Sequence, residues 1–144
     1  MIDGSQLKRR DLYLDKIIAF RDTEPVKVVT GIRRCGKSSL LKLMVAHLRE
    51  TGVTAPQIVE MNFESHAFQK LTADTFYDYV KQRVLQGQRM YFFFDEVQRI
   101  AGWEKTVNSF RVDFDCDIYI TGSNAWLLSS ENATYLAGRC VEIK

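Results

Sequence analysis

"VKVVTGIRRCGKSSLL", Val26 to Leu41, is the stretch from which the fold of this chain is read. The run after Pro25 is β-branched and ends at Gly31, which predicts a short strand. Gly31 to Ser38 fits the pattern G-x-x-x-x-G-K-[ST]. From Lys37 to Glu50 the spacing of Leu40, Leu41, Met44, Val45 and Leu48 predicts a helix with one broad apolar face. Strand, glycine-bearing loop and helix is the context in which backbone N–H groups and a helix N-terminus gather the charge of a polyphosphate. Gly31 and Gly36 supply permissive backbone angles and room for phosphate oxygens. Lys37 reaches the β- and γ-phosphates, and the Ser38 hydroxyl completes the ligand set of a magnesium ion. The nucleotide-binding set is therefore Gly31, Ile32, Arg33, Arg34, Cys35, Gly36, Lys37, Ser38 and Ser39. Within it, Arg33 and Arg34 either touch phosphate or point to solvent.

The pattern continues outward on both sides. "LKRRDLYLDKIIAFRD" has helical spacing at Leu7, Leu14, Ile17 and Ile18. "QIVEMNFE" reads as a second strand. "LTADTFYDYVKQRVLQGQ" reads as a helix capped by Thr72 or Asp74, with Phe76, Tyr79, Val80 and Val84 on one face and Gly87 at its end. "RMYFFFDE" is the most apolar strand, and its unbroken run predicts cover on both faces. A short helix in "WEKTVNSFRVDF", a strand in "CDIYITGS", a helix from about Asn124 and a strand opening in "RCVEIK" complete the series. Alternating strands and helices define an α/β layered fold on a mostly parallel sheet of five strands.

"YFFFDE" puts Asp95 and Glu96 at the C-terminal end of a central strand, the edge where open α/β sheets bind ligands. Asp95 then holds Mg²⁺ beside Ser38, directly or through water. Glu96 is placed to orient and deprotonate a water for in-line attack on the γ-phosphate. Two adjacent carboxylates favour water activation over transfer to an acceptor hydroxyl. The fourth strand ends in Thr121, Ser123 and Asn124, any of which can hydrogen-bond the attacking water or the γ-phosphate; Asn124 suits a helix cap equally. Arg139, after Gly138, is either a cation at a helix C-terminus or an arginine finger reaching a neighbouring subunit's nucleotide.

Composition narrows the classes. The 144 residues suit one domain, and 46% hydrophobic with 26% charged content is that of an ordinary globular protein. A net charge of +2 does not by itself indicate a nucleic-acid or acidic-lipid partner. Lys8 to Arg10 and Arg33–Arg34 are the candidate basic patches. Cys35, Cys116 and Cys140 form no zinc-type pattern and read as free thiols of a reducing compartment. The first residues lack the long apolar stretch of a signal peptide, and the run Met90–Phe94 is too short to span a bilayer, so a cytoplasmic protein without a membrane partner is expected.

Taken together, "VTGIRRCGKSSLL", "MNFE", "YFFFDEVQRIAGWEKTVNSFR", "DIYITGSN" and "YLAGR", in this order, resemble the core of AAA+ ATPases. More narrowly, they resemble the prokaryotic ATP-binding proteins in which an AAA domain precedes a domain of unknown function. The resemblance implies a three-layer α/β/α P-loop NTPase core with strand order 5-1-4-3-2. It implies Walker A at Gly31–Ser38, Walker B at Asp95–Glu96, a first sensor near Ser123–Asn124, and Arg139 as finger. It implies ATP as the nucleotide. Gln98 and Trp103 also match: Trp103 is expected under the Walker B loop, and Gln98 against nucleotide or a partner. No helical lid with a second sensor follows Lys144, so the chain is expected to be the N-terminal core of a protein roughly two to three times longer. The division is residues 1–24 as a helical segment and 25–144 as the core. The expected activity is Mg²⁺-dependent ATP hydrolysis driving conformational change, slowed without the lid. The expected partners are further copies of the chain, a C-terminal domain in cis, or a protein or DNA. A slow nucleotide-dependent switch and a small-molecule kinase are the alternatives. No N-K-x-D stretch exists to read guanine.

Overall fold

The β-branched and aromatic runs pair into a five-stranded parallel sheet in the order β2-β3-β4-β1-β5. Its strands are β1 (Val26–Val29), β2 (Ile58–Asn62), β3 (Met90–Asp95), β4 (Cys116–Thr121) and β5 (Cys140–Ile143). These come from a computed structural model that describes residues 13–23, 26–29, 34–122 and 140–143. The helices are α1 (residues 13–19), α2 (Arg34–Glu50), α3 (Ala73–Lys81) and α4 (Trp103–Asp113). The strand order is the one expected. The helix expected from Asn124 lies outside the described residues.

Strand alternation sends two sets of side chains to opposite faces. Val28, Phe92, Phe94, Ile118 and Ile120 join Phe76, Val80, Val107 and Phe110 of α3 and α4 in one buried cluster. Val29, Phe93 and Tyr119 join Leu40, Leu41, Met44 and Leu48 of α2 and Ile17 of α1 in a second. Every residue of β3 is buried, which is why its sequence shows no polar alternation. The α3/α4 side is an aromatic lattice: Phe110 meets Phe76 edge-on at 5.2 Å and stacks on Tyr77 at 5.5 Å.

Two helix boundaries differ from expectation. α2 begins at Arg34 rather than Lys37. Gly36 in its first turn costs only about 1 kcal/mol against alanine, less than the burial of the α2 leucines returns. α3 ends at Lys81 rather than near Gly87. Val84 and Leu85 are drawn against the α3/α4 core instead of continuing the helix, and Gly87 (φ +78°) serves the following turn. Thr72 caps α3 by accepting from the Thr75 N–H, as one of the two expected candidates. No helix among the described residues is long and apolar enough to cross a membrane.

The opposite, N-terminal edge of the sheet holds a buried ion pair. Lys27, 0% exposed, is paired with Asp117, whose other oxygen accepts from the Asp22 N–H at 2.9 Å and the Tyr119 hydroxyl at 2.6 Å. The Lys27 ammonium also donates to the Thr23 carbonyl at 2.6 Å. Asp22, itself at φ +59°, accepts from Arg89 at 2.7 Å and from the Tyr91 hydroxyl at 2.9 Å. Through these bonds the turn after α1 is fastened to β1, β3 and β4.

Candidate functional site

At the C-terminal edge the sheet topology puts β4 between β1 and β3, so the start of α2 and the end of β3 meet across the tip of β4. Five side chains converge there. The Ser38 hydroxyl donates to Asp95 Oδ2. Asp95 Oδ1 accepts from the Thr121 hydroxyl at 2.5 Å. The same Thr121 oxygen accepts the Glu96 backbone N–H at 2.8 Å, so one buried hydroxyl holds two consecutive acidic residues. Lys37 Nζ lies 3.5 Å from Glu96 Oε1 and donates to the Gly122 carbonyl at 3.1 Å.

Lys37, Asp95 and Glu96 are each only 7% exposed. Burying charged groups is costly unless they are paired or hydrogen-bonded; here Lys37 and Glu96 face each other, and Asp95 accepts from two hydroxyls. Glu96 has φ 58° and ψ 47°, in the left-handed region that a glutamate rarely occupies. Such backbone strain costs on the order of 1–3 kcal/mol and is typical of functional sites. Its effect is geometric, since it breaks the extended run of β3 immediately after Asp95. The carboxylate of Glu96 is thereby turned toward Lys37 and the chain into the short turn Val97–Arg99.

Among the described residues, no cluster of three or more His, Cys, Asp or Glu is placed to hold a metal ion. A hydroxyl and one carboxylate oxygen meeting at a point do fit Mg²⁺, a hard cation that takes few protein ligands and fills its shell with water and phosphate oxygens. Ser38 and Asp95 are the residues that would hold it.

Of the residues expected from sequence, Lys37, Ser38, Asp95 and Glu96 come together. Ser39 follows them along α2. Arg34, Cys35 and Gly36 form the first turn of α2, described for Arg34 and Cys35 by backbone alone. Gly31, Ile32 and Arg33 lie outside the described residues, as do Ser123, Asn124 and Arg139. Of the three sensor candidates, Thr121 is the one whose contacts are described. Trp103 is fully buried beside Val97 and Ile100 of the turn after β3. Gln98 donates from Nε2 to Glu96 Oε2 at 2.5 Å. The double engagement of Thr121 and the contact of Gln98 with Glu96 had no counterpart in the sequence reading. Cys116 is a free thiol that burial pushes up to about 12, which leaves it protonated and unreactive at neutral pH.

A parallel sheet with helices on both faces, and Lys37 and Ser38 in the first turns of α2 facing a strand-end aspartate, fits an AAA-type domain. The family model described as "AAA domain" matches residues 23–144. The chain belongs to this AAA domain family. It is 45% identical over 137 residues to an uncharacterized protein of Haemophilus influenzae, covering 94% of this chain and 34% of that one. It is 32% identical over 141 residues to an uncharacterized protein of Methanocaldococcus jannaschii, covering 96% of this chain and 30% of that one. The chain thus spans about a third of the length of these curated relatives. Among solved structures it is similar in fold to a DNA polymerase III gamma subunit-related protein of Thermotoga maritima. That match has a TM-score of 0.64 and 9% identity, over 91% of this chain and 45% of the other. It is also similar in fold to AMPPCP-bound DnaA of Aquifex aeolicus, with a TM-score of 0.52 and 15% identity, over 100% of this chain and 48% of the other.

Proposed function

We propose that this chain is the nucleotide-binding core of a Mg²⁺-dependent ATPase. The observation that carries the reading is the meeting of Ser38 with Asp95 across the tip of β4, with Lys37 and Glu96 paired beside them. Membership of the AAA domain family supports ATP as the nucleotide.

In this reading the ammonium of Lys37 leaves Gly122 and Glu96 for the β- and γ-phosphate oxygens, which carry more charge than either present partner. A magnesium ion held by Ser38 and Asp95 supplies charge neutralisation of the phosphates. Thr121 keeps the Asp95 carboxylate facing Ser38 and the Glu96 peptide in its left-handed turn. Glu96, released from Lys37, accepts a proton from water as the water oxygen bonds to the γ-phosphorus. The bond from the γ-phosphorus to the β–γ bridging oxygen breaks, and ADP departs with inorganic phosphate. The burial of Lys37, Asp95 and Glu96 also keeps bulk water from the reacting atoms. Because the relatives are about three times longer, we assign the work of hydrolysis to movement of regions beyond this core. Arg139 is the proposed finger toward a neighbouring copy.

Titration of a fluorescent ATP analogue with Mg²⁺, with phosphate release followed in parallel, tests the proposal. Lys37→Ala is expected to abolish binding. Glu96→Gln is expected to keep binding and lower release by about 10²–10⁴-fold. Binding that is indifferent to Lys37→Ala would refute the reading.

A further inference from the structure

The carboxylate of Glu96 has two oxygens, and they have different partners. Oε1 faces Lys37 at 3.5 Å, a contact that nucleotide removes in the proposed reaction. Oε2 accepts from Gln98 Nε2 at 2.5 Å, a contact that involves no phosphate-binding group. The left-handed backbone of Glu96 makes this second contact possible, since it folds the chain back so that the side chain two residues on lies beside its own. Val97 and Ile100, both buried, anchor the turn that carries Gln98. Only the amide orientation with nitrogen toward Glu96 presents a donor to an ionised carboxylate. The other end of that amide is unusual. Gln98 Oε1 is buried and, among the described residues, has no hydrogen-bond donor. Gln98 keeps its nitrogen on Glu96 although that leaves Oε1 without a donor, so the contact with Glu96 sets the orientation of the amide.

We infer that Gln98 is a positioning residue for hydrolysis, an inference that rests on the reading given under Proposed function. Its Nε2 fixes Glu96 Oε2 while Lys37 exchanges Oε1 for phosphate, so the freed oxygen points in one direction instead of swinging on a flexible stem. Nucleotide affinity does not pass through this contact.

The test compares wild type, Gln98→Met, Glu96→Gln and the double variant in the intact protein. Met keeps the volume of the side chain and removes both hydrogen-bonding ends. Single-turnover release of radiolabelled phosphate gives the rate, and a non-hydrolysable ATP analogue with Mg²⁺ gives Kd. Gln98→Met is expected to slow release by about 10- to 100-fold, with Kd within about twofold of wild type. In the Glu96→Gln background the same change is expected to cost less than about twofold, because residues acting as one unit are not additive. A wild-type rate in Gln98→Met, or a full cost that persists without Glu96, overturns the inference and leaves the hydrolytic reading standing. Release that is unaffected by Glu96→Gln alone overturns both, and is seen separately.

Discussion

Lys27 and Asp117 form the most deeply buried ion pair described, and their removal has a calculable cost. Asp117→Leu leaves an ammonium at 0% exposure with the Thr23 carbonyl as its described hydrogen-bond partner and the Tyr119 ring 5.6 Å away. Breaking a buried pair from one side costs about 3–5 kcal/mol. Lys27→Met leaves a carboxylate that still accepts from the Asp22 N–H and the Tyr119 hydroxyl. That loss is set at about 2–3 kcal/mol, since two donors continue to solvate the charge. The double variant buries no charge and merely orphans those two donors, for about 2–4 kcal/mol. Additive behaviour would give roughly 5–8 kcal/mol, so a coupling near 3 kcal/mol is expected. Urea unfolding followed by circular dichroism reads it, each 3 kcal/mol moving the midpoint by about 1–3 M.

The pH dependence of the same variants carries a sign. Desolvation, opposed by Asp117, lowers the Lys27 pKa from its ordinary value. Between the lowered native value and the ordinary one, about 10.4, the unfolded chain binds more protons, so stability rises with pH in that window. Without Asp117 the lowering deepens. The deficit of Asp117→Leu is therefore expected to shrink as the pH is raised toward about 10. Single losses that simply add, with coupling under about 0.5 kcal/mol, would falsify the paired-charge account.

Two further outcomes are expected. Thr121→Val keeps shape but leaves the Glu96 N–H without its acceptor and Asp95 Oδ1 without its donor; it is expected to lower unfolding stability by about 2–4 kcal/mol and to slow phosphate release, with Thr121→Ser restoring both. Burial raises the Asp22 carboxyl, but hydrogen bonds from Arg89 and Tyr91 outweigh this and hold it below its ordinary value. Its contribution is thus complete above about pH 4 and is lost as the pH falls through the lowered native value. Asp22→Asn, which tolerates the left-handed backbone, is expected to lose under about 1 kcal/mol at neutral pH and to converge on wild type in acid titration of the thermal midpoint.

The parts of this molecule written in local sequence were readable. The β-branched run, the spaced glycines with Gly36-Lys37-Ser38, and the apolar β3 ending in Asp95–Glu96 each announce one element and one edge of the sheet. The unread parts depend on partners distant in sequence. A lysine in "VKVV" looks like the solvent face of a strand, and nothing nearby shows that Asp117, 90 residues on, will meet it. Thr121 reads as one of three small polar residues; its double bond to Asp95 and Glu96 exists only once β3 and β4 are side by side. α3 stops early because Val84 and Leu85 find a core that helical spacing alone does not reveal. The position of Gln98 beside Glu96 follows from a backbone angle that glutamate does not advertise.

The two polar sites have one strand in common. Asp117, Tyr119 and Thr121 alternate along β4 on a single face, toward α2, while Ile118 and Ile120 face α3 and α4. A strand shifted by one residue during assembly would present every side chain to the wrong layer. Asp117 would then enter the phenylalanine lattice with no lysine, and Thr121 would abandon both acidic residues. An all-aliphatic β4 would tolerate such a shift with little loss. The groups that equip one edge of the sheet and fasten the other therefore also act as an alignment key, and chains that assemble out of step forfeit their burial and their chemistry together.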